Sequence, residues 1–158
     1  MSNTTRRAFL TFIVATALTA CNAAPTRALA PAGPPLYPNE TPQLRQKINK
    51  WADFYDVPRP LVHRLAIRES THRPDARSGP YYGLLQILPA TARSMGFQGK
   101  SSDLLDADTN LKYAVKYLRG AWLLSDGSHD KAVKWYSRGY YYEAKRRGML
   151  AETGLRSG

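Results

Sequence analysis

Val62, Leu65 and Ala66 lay an apolar stripe along a predicted helix, and the next position on that stripe is Glu69. Helical spacing therefore sets a carboxylate on the face that should be buried, close to the helix's C-terminal end. Burial disfavours the charged form and raises a carboxyl pKa; the negative end of the helix dipole pushes the same way. A carboxylic acid held partly protonated near neutral pH is what general acid catalysis requires. The other placement leaves Glu69 half exposed and paired with Arg68, Arg73 or Arg77. Asp75 is the one further acid in the loop that follows, and it reads as a solvated loop residue.

Other chemistries find little support among the residue types. One cysteine rules out an intramolecular disulfide framework and any Cys-cluster zinc site. His63, His72 and His129 lie far apart with no i,i+4 pair, so a helical His metal site has no support. No glycine-rich phosphate-binding run is present. We therefore expect neither cofactor nor metal. The chain has 158 residues, which suits one domain with one buried core. Its 22% charged and 11% aromatic residues argue against wholesale disorder. A formal net charge of +11 raises nucleic-acid binding as a reading. No nucleic-acid motif supports it, and the start of the chain argues against it.

Arg6 and Arg7 precede an uncharged run from Ala8 to Ala20, too short to span a bilayer and typical of a secretory signal. Thr5 to Leu10 resembles a twin-arginine export signal. Leu18-Thr19-Ala20-Cys21 resembles a bacterial lipobox, with the chain's only cysteine at the lipidated position. A competing cut follows Ala28-Leu29-Ala30, handicapped by Pro31. The leader holds two arginines and no acid, which leaves +9 for residues 21–158. Residues 22–42 carry six prolines and much alanine, the composition of an extended spacer. The expected organisation is a signal peptide over 1–20, a lipidated Cys21 with a Pro/Ala-rich tether over 21–42, and one domain over 43–158.

The domain reads as mostly α. Thr41 caps a helix from Pro42 to Asp56, with Leu44, Ile48, Trp51, Ala52 and Tyr55 at helical spacing. A second helix runs from Pro60 to Ser70. Thr71 to Tyr82, with Pro74, Gly79 and Pro80, is loop or short extended turns. Pro89 opens a short helix closed by Gly96. Asp108 or Thr109 caps a long helix that Gly127 stops. His129–Arg138 and Tyr140–Arg147 complete the set.

Glu69-Ser70, then Pro74-Asp75-Ala76-Arg77-Ser78, then Gly83 to Ala92, resembles the soluble lytic transglycosylase family (SLT domain) of lysozyme-like proteins. That family carries a Glu-Ser pair, a Pro-x-Ala-x-Ser and a Gly-Leu-Met-Gln-x-x-Pro-x-Thr-Ala run. Asn110-Leu111 with Tyr117-Leu118 is similar to its Asn-Ile…Tyr-Leu helix, and Ala132 to Gly139 to its Ala…Tyr-Asn-x-Gly segment. Residues 44–140 carry the resemblance. It differs at Leu85, where Met is usual, in a shorter Ser78–Gly83 stretch, and at Ser137, where Asn is usual.

The resemblance implies an α+β lysozyme-like fold: one compact helical domain with a short loop or hairpin beside the cleft. It implies cleavage of the β-1,4 bond between N-acetylmuramic acid and N-acetylglucosamine in peptidoglycan, giving 1,6-anhydromuramyl ends. Glu69 would act as acid and then as base. Ser78, Tyr82, Gly83, Gln86, Asn110 and Tyr136 would bind substrate, with Tyr81 and Tyr82 able to stack on sugar rings and Asn110 equally able to be structural. The implied setting is periplasmic, lipid-anchored to a membrane (the outer one in a Gram-negative host), exported by the Sec or twin-arginine route. Peptidoglycan glycan strands, the membrane through Cys21, and envelope-spanning machinery are the partners it suggests, with no nucleic acid and a monomeric state. Two rival readings keep the fold: a muramidase using water, with Asp75 as second carboxylate, and an inactive peptidoglycan-binding lipoprotein.

Overall fold

Thr41 and Pro42 start the first helix as their chemistry dictates. Thr41 Oγ1 accepts the Leu44 amide at 3.1 Å, and Pro42 occupies the first turn, where no amide is needed. The structure, a computed structural model, describes residues 34–155. The expected signal peptide, Cys21 and the 21–33 part of the tether lie outside the described residues.

The elements are α1 (Pro42–Phe54), α2 (Arg59–Ser70), a two-residue hairpin β1 (Arg77–Ser78) and β2 (Tyr81–Tyr82), α3 (Pro89–Ser94), a 3₁₀ turn (Ser101–Leu105), α4 (Ala107–Leu123), α5 (His129–Arg138) and α6 (Tyr141–Arg146). The hairpin is antiparallel, pairing Arg77 with Tyr82 and Ser78 with Tyr81. No helix among the described residues is long and apolar enough to cross a membrane.

α4 is the central element. It packs against α1, α3, the 3₁₀ turn and α5, and buries Leu111, Ala114, Val115, Leu118 and Ala121. Its cap is Asp106, whose Oδ1 accepts the Thr109 amide at 2.8 Å, so the helix begins earlier than the expected Asp108 or Thr109 cap. Asp108 instead faces α1, accepting the Trp51 indole N–H at 2.8 Å. Gly120 makes room for Tyr140: a Cβ there would meet the Tyr140 hydroxyl at 2.3 Å. That hydroxyl donates to the Tyr117 carbonyl at 2.8 Å and so ties the start of α6 to α4.

The segment before α1 is packed rather than extended. The Tyr37 ring stacks on His72 at 5.1 Å between centroids. Asn39 Nδ2 donates to the Thr71 carbonyl at 3.0 Å, and Arg45 donates to the carbonyls of Pro34 and Pro35. Residues 34–41, assigned to the tether on composition, therefore lie against the domain, because Tyr37, Asn39 and Glu40 find partners in His72, the Thr71 carbonyl and Arg45.

Candidate active site

Glu69 is the penultimate residue of α2. Its side chain is 22% exposed and lines an open cleft of about 330 Å³ with Arg68, Ser78, Tyr81, Gln86, Tyr136 and Ser137. Burial raises its carboxyl above the usual range, and the positive charge of Arg68 only partly opposes this. The Arg68 Nε lies 3.4 Å away, a loose pairing at an exposed guanidinium. The other two arginines expected near Glu69 are engaged elsewhere. Arg73 Nε donates to the Ser70 carbonyl at 3.0 Å, and the Arg77 guanidinium sits over the Tyr82 ring at 4.7 Å. Glu69 is the one carboxylate among the described residues lining the cleft and its continuation of about 220 Å³ past Tyr117 and Gly139. Asp75 is exposed and outside both.

Gln86, which lines the cleft with Glu69, belongs to the segment from Gly83 to Ile87, which is held from three helices. Ser70 Oγ, on α2, donates to the Leu84 carbonyl at 2.7 Å. Asn110, on α4, accepts the Leu85 amide at 3.0 Å and donates to the carbonyls of Tyr82 and Leu104, each at 2.8 Å. Tyr136, on α5, donates its hydroxyl to the Leu85 carbonyl at 2.8 Å. Gln86 adds a local brace: its Nε2 donates to the carbonyls of Gly83 at 2.7 Å and Ala76 at 3.0 Å. Gly83 has φ +73°, and a Cβ there would meet the Leu104 carbonyl at 2.2 Å and Asn110 Nδ2 at 2.3 Å. The floor of the cleft is thus fixed before any substrate arrives.

The expected site residues separate into two groups. Ser78, Gln86 and Tyr136 stand around the cleft with Glu69. Tyr82, Gly83 and Asn110 do not line it. Asn110 is fully buried and spends its amide on the backbone, and Gly83 is the gap into which that amide fits. Alternation along β2 turns Tyr81 toward the cleft and Tyr82 away from it. Burial, with the nearby Glu69 charge, holds the Tyr136 phenol well above its ordinary range, so it remains a neutral donor. Ser137, where the family has Asn, lines the cleft but donates its hydroxyl back to the Val133 carbonyl at 3.0 Å. Ser70 went without an assigned role in the sequence, although it follows Glu69 directly. Its neighbour's position marks it only as the end of a helix.

A second cluster escaped the sequence reading. Glu40, His63 and His72 are buried together, and their ligand-type atoms lie within 4.8 Å of one another. Distance in sequence hid this. Thr71 and His72 both take left-handed backbone, φ 52° and 59°, and this turns His72 back beneath His63.

Residues 46–147 match the family described as the transglycosylase SLT domain. The chain belongs to this family. Over 124 residues it is 29% identical to the membrane-bound lytic murein transglycosylase F of Shewanella woodyi, a match covering 74% of this chain. The chain spans about a quarter of that relative's length. No solved structure matches it at a significant level.

Proposed function

We propose that this chain is a peptidoglycan lytic transglycosylase in which Glu69 serves as acid and then as base. The observation that carries this reading is the single half-buried carboxylate in the cleft, raised toward neutrality by burial and left without a strong partner. Most glycosidases need two carboxylates across the scissile bond. A mechanism needing one fits this cleft. The Glu69 carboxyl donates its proton to the glycosidic oxygen, the bond to the muramyl C1 breaks, and N-acetylglucosamine leaves with a free C4 hydroxyl. The substrate's N-acetyl group stabilises the cationic carbon. The Glu69 carboxylate then takes the proton of the muramyl C6 hydroxyl as its oxygen bonds C1. Acid and base are regenerated, and no water is consumed. Ser78, Tyr81 and Ser137 line the sugar path, and Gln86 and Tyr136 fix its floor.

The Arg6-Arg7 leader and the lipobox-like Leu18-Thr19-Ala20-Cys21 support a second part of this reading, an exported periplasmic lipoprotein anchored through Cys21. Its +9 over residues 21–158 favours a polymer whose peptide stems carry carboxylates. The test is digestion of peptidoglycan sacculi by the full chain, beside Glu69→Gln, with products identified by mass spectrometry. Anhydromuramyl ends absent from the mutant digest are expected. Reducing muramyl ends would mean hydrolysis instead, and no product with intact binding would leave a wall-binding lipoprotein.

A further inference from the structure

The cluster of Glu40, His63 and His72 has more acceptor capacity pointing inward than its hydrogen bonds use. A carboxylate has about four lone-pair sites. Glu40 Oε2 accepts the Tyr37 amide at 2.9 Å and Arg45 Nη2 at 2.6 Å. Oε1 accepts only Arg45 Nε, at 3.0 Å, and its free side lies 3.5 Å from His63 Nδ1. His63 Nδ1 in turn lies 3.2 Å from His72 Nε2. Two neutral imidazoles have one proton to place on that line, so a hydrogen bond satisfies one pair and leaves Oε1 incomplete.

A single metal ion would draw on all three atoms, with a water as its fourth ligand. Zinc binds imidazole nitrogen and carboxylate oxygen at about 2.0–2.2 Å, which makes a tetrahedral edge of roughly 3.3 Å. Two of the three edges, 3.5 and 3.2 Å, bracket that length, and the third, from Glu40 to His72, is longer, within 4.8 Å, and must shorten on binding. Arg45 and the Tyr37 amide brace the carboxylate from behind, as ligating carboxylates are usually braced. The Tyr37 ring covers His72, parallel to within 6°.

We propose that Glu40 Oε1, His63 Nδ1 and His72 Nε2 form a zinc site that clamps the segment before α1 to the turn after α2. A nitrogen and oxygen donor set of this kind selects zinc or its transition-metal neighbours over magnesium and calcium. Two features hold the affinity below that of a cysteine site. Arg45 brings a positive charge beside the ion, and metal binding leaves the His72 ring proton on Nδ1, a buried nitrogen with no partner. The site is separate from the cleft and does not depend on the proposed reaction.

The experiment uses the full chain carrying Cys21→Ala, so that no thiol competes. After chelator treatment it is titrated with Zn²⁺ by calorimetry and with Co²⁺ by visible absorption. We expect one equivalent bound, an intense tetrahedral Co²⁺ spectrum, and a melting temperature that climbs with Zn²⁺ concentration. His72→Phe, which keeps the stacking surface for Tyr37, should weaken binding at least a hundredfold, and His129→Ala should leave it unchanged. If His72→Phe does not fold, Glu40→Gln gives the same readout, its one amide oxygen still accepting from Arg45 Nη2 and the Tyr37 amide. Binding that survives both variants, an octahedral Co²⁺ spectrum, or a melting temperature indifferent to zinc would overturn the proposal.

Discussion

Glu40 lies in the buried cluster with His63 and His72 and Glu69 lines the cleft, and the one with the less exposed side chain is the stronger acid. The Glu40 side chain is fully buried, and burial pushes its carboxyl up. The hydrogen bonds from Arg45 and the Tyr37 amide, with the positive charges nearby, outweigh that and bring it below the usual carboxylate range. Glu69 keeps 22% of its side chain exposed yet is raised, because burial meets only the loose charge of Arg68. Burial alone therefore does not make a proton donor. What distinguishes Glu69 is the withdrawal of partners, and the surrounding chain achieves it by engaging Arg73 and Arg77 elsewhere.

The contrast can be broken most severely at Glu69 itself. Glu69→Gln should reduce release of anhydromuramyl product by roughly a hundred- to ten-thousand-fold, the range that positioned proton transfer supplies. The same variant should melt slightly higher at neutral pH. A raised carboxyl pKa stabilises the fold below its unfolded value and loses that contribution as pH rises through the folded pKa, so ionised Glu69 weighs against the fold at pH 7. A variant that melts lower would mean Glu69 is a structural ion-pair partner.

Removing the partner of Glu40 should act on stability instead. Arg45→Met strands a buried carboxylate and should cost about 3–5 kcal/mol in denaturant unfolding, with the Arg45→Met/Glu40→Gln pair recovering part of it. Equal losses in single and double variants would show that the two residues do not act as a pair. Ser70→Ala leaves the Leu84 carbonyl without its donor and should cost about 1–3 kcal/mol, with a loss of turnover, since the cleft floor loses its tie to α2. The smallest effect is expected at Arg68. Activity should fall on the alkaline side as Glu69 loses its proton, and Arg68→Gln should move that limb to higher pH. A limb that stays put would assign it to another group.

The helices were legible because their caps and apolar spacing act locally. The Thr41 cap and the stripe of α2 follow from neighbouring residues alone. The α4 start was placed late because Asp106, Asp108 and Thr109 are all cap-type residues, and only packing sends Asp108 to Trp51. Glu69 stood out as a charge on an apolar stripe. The sequence left Asn110 open between substrate and structure, and its pairing with Gly83 was hidden, since the two lie 27 residues apart. The clasp of Glu40, His63 and His72 was hidden for two reasons. A proline-rich composition reads as a spacer, and no local rule predicts two successive left-handed residues at Thr71 and His72.

The three-helix suspension of Leu84 and Leu85 also sets how the site fails. Ser70, Asn110 and Tyr136 reach these two residues from α2, α4 and α5, so no single helix can fray without releasing the others' hold. The Leu85 amide, buried and bonded to Asn110, should therefore be among the slowest to exchange its hydrogen with solvent. Activity on peptidoglycan, on heating, should fall in step with the folded fraction.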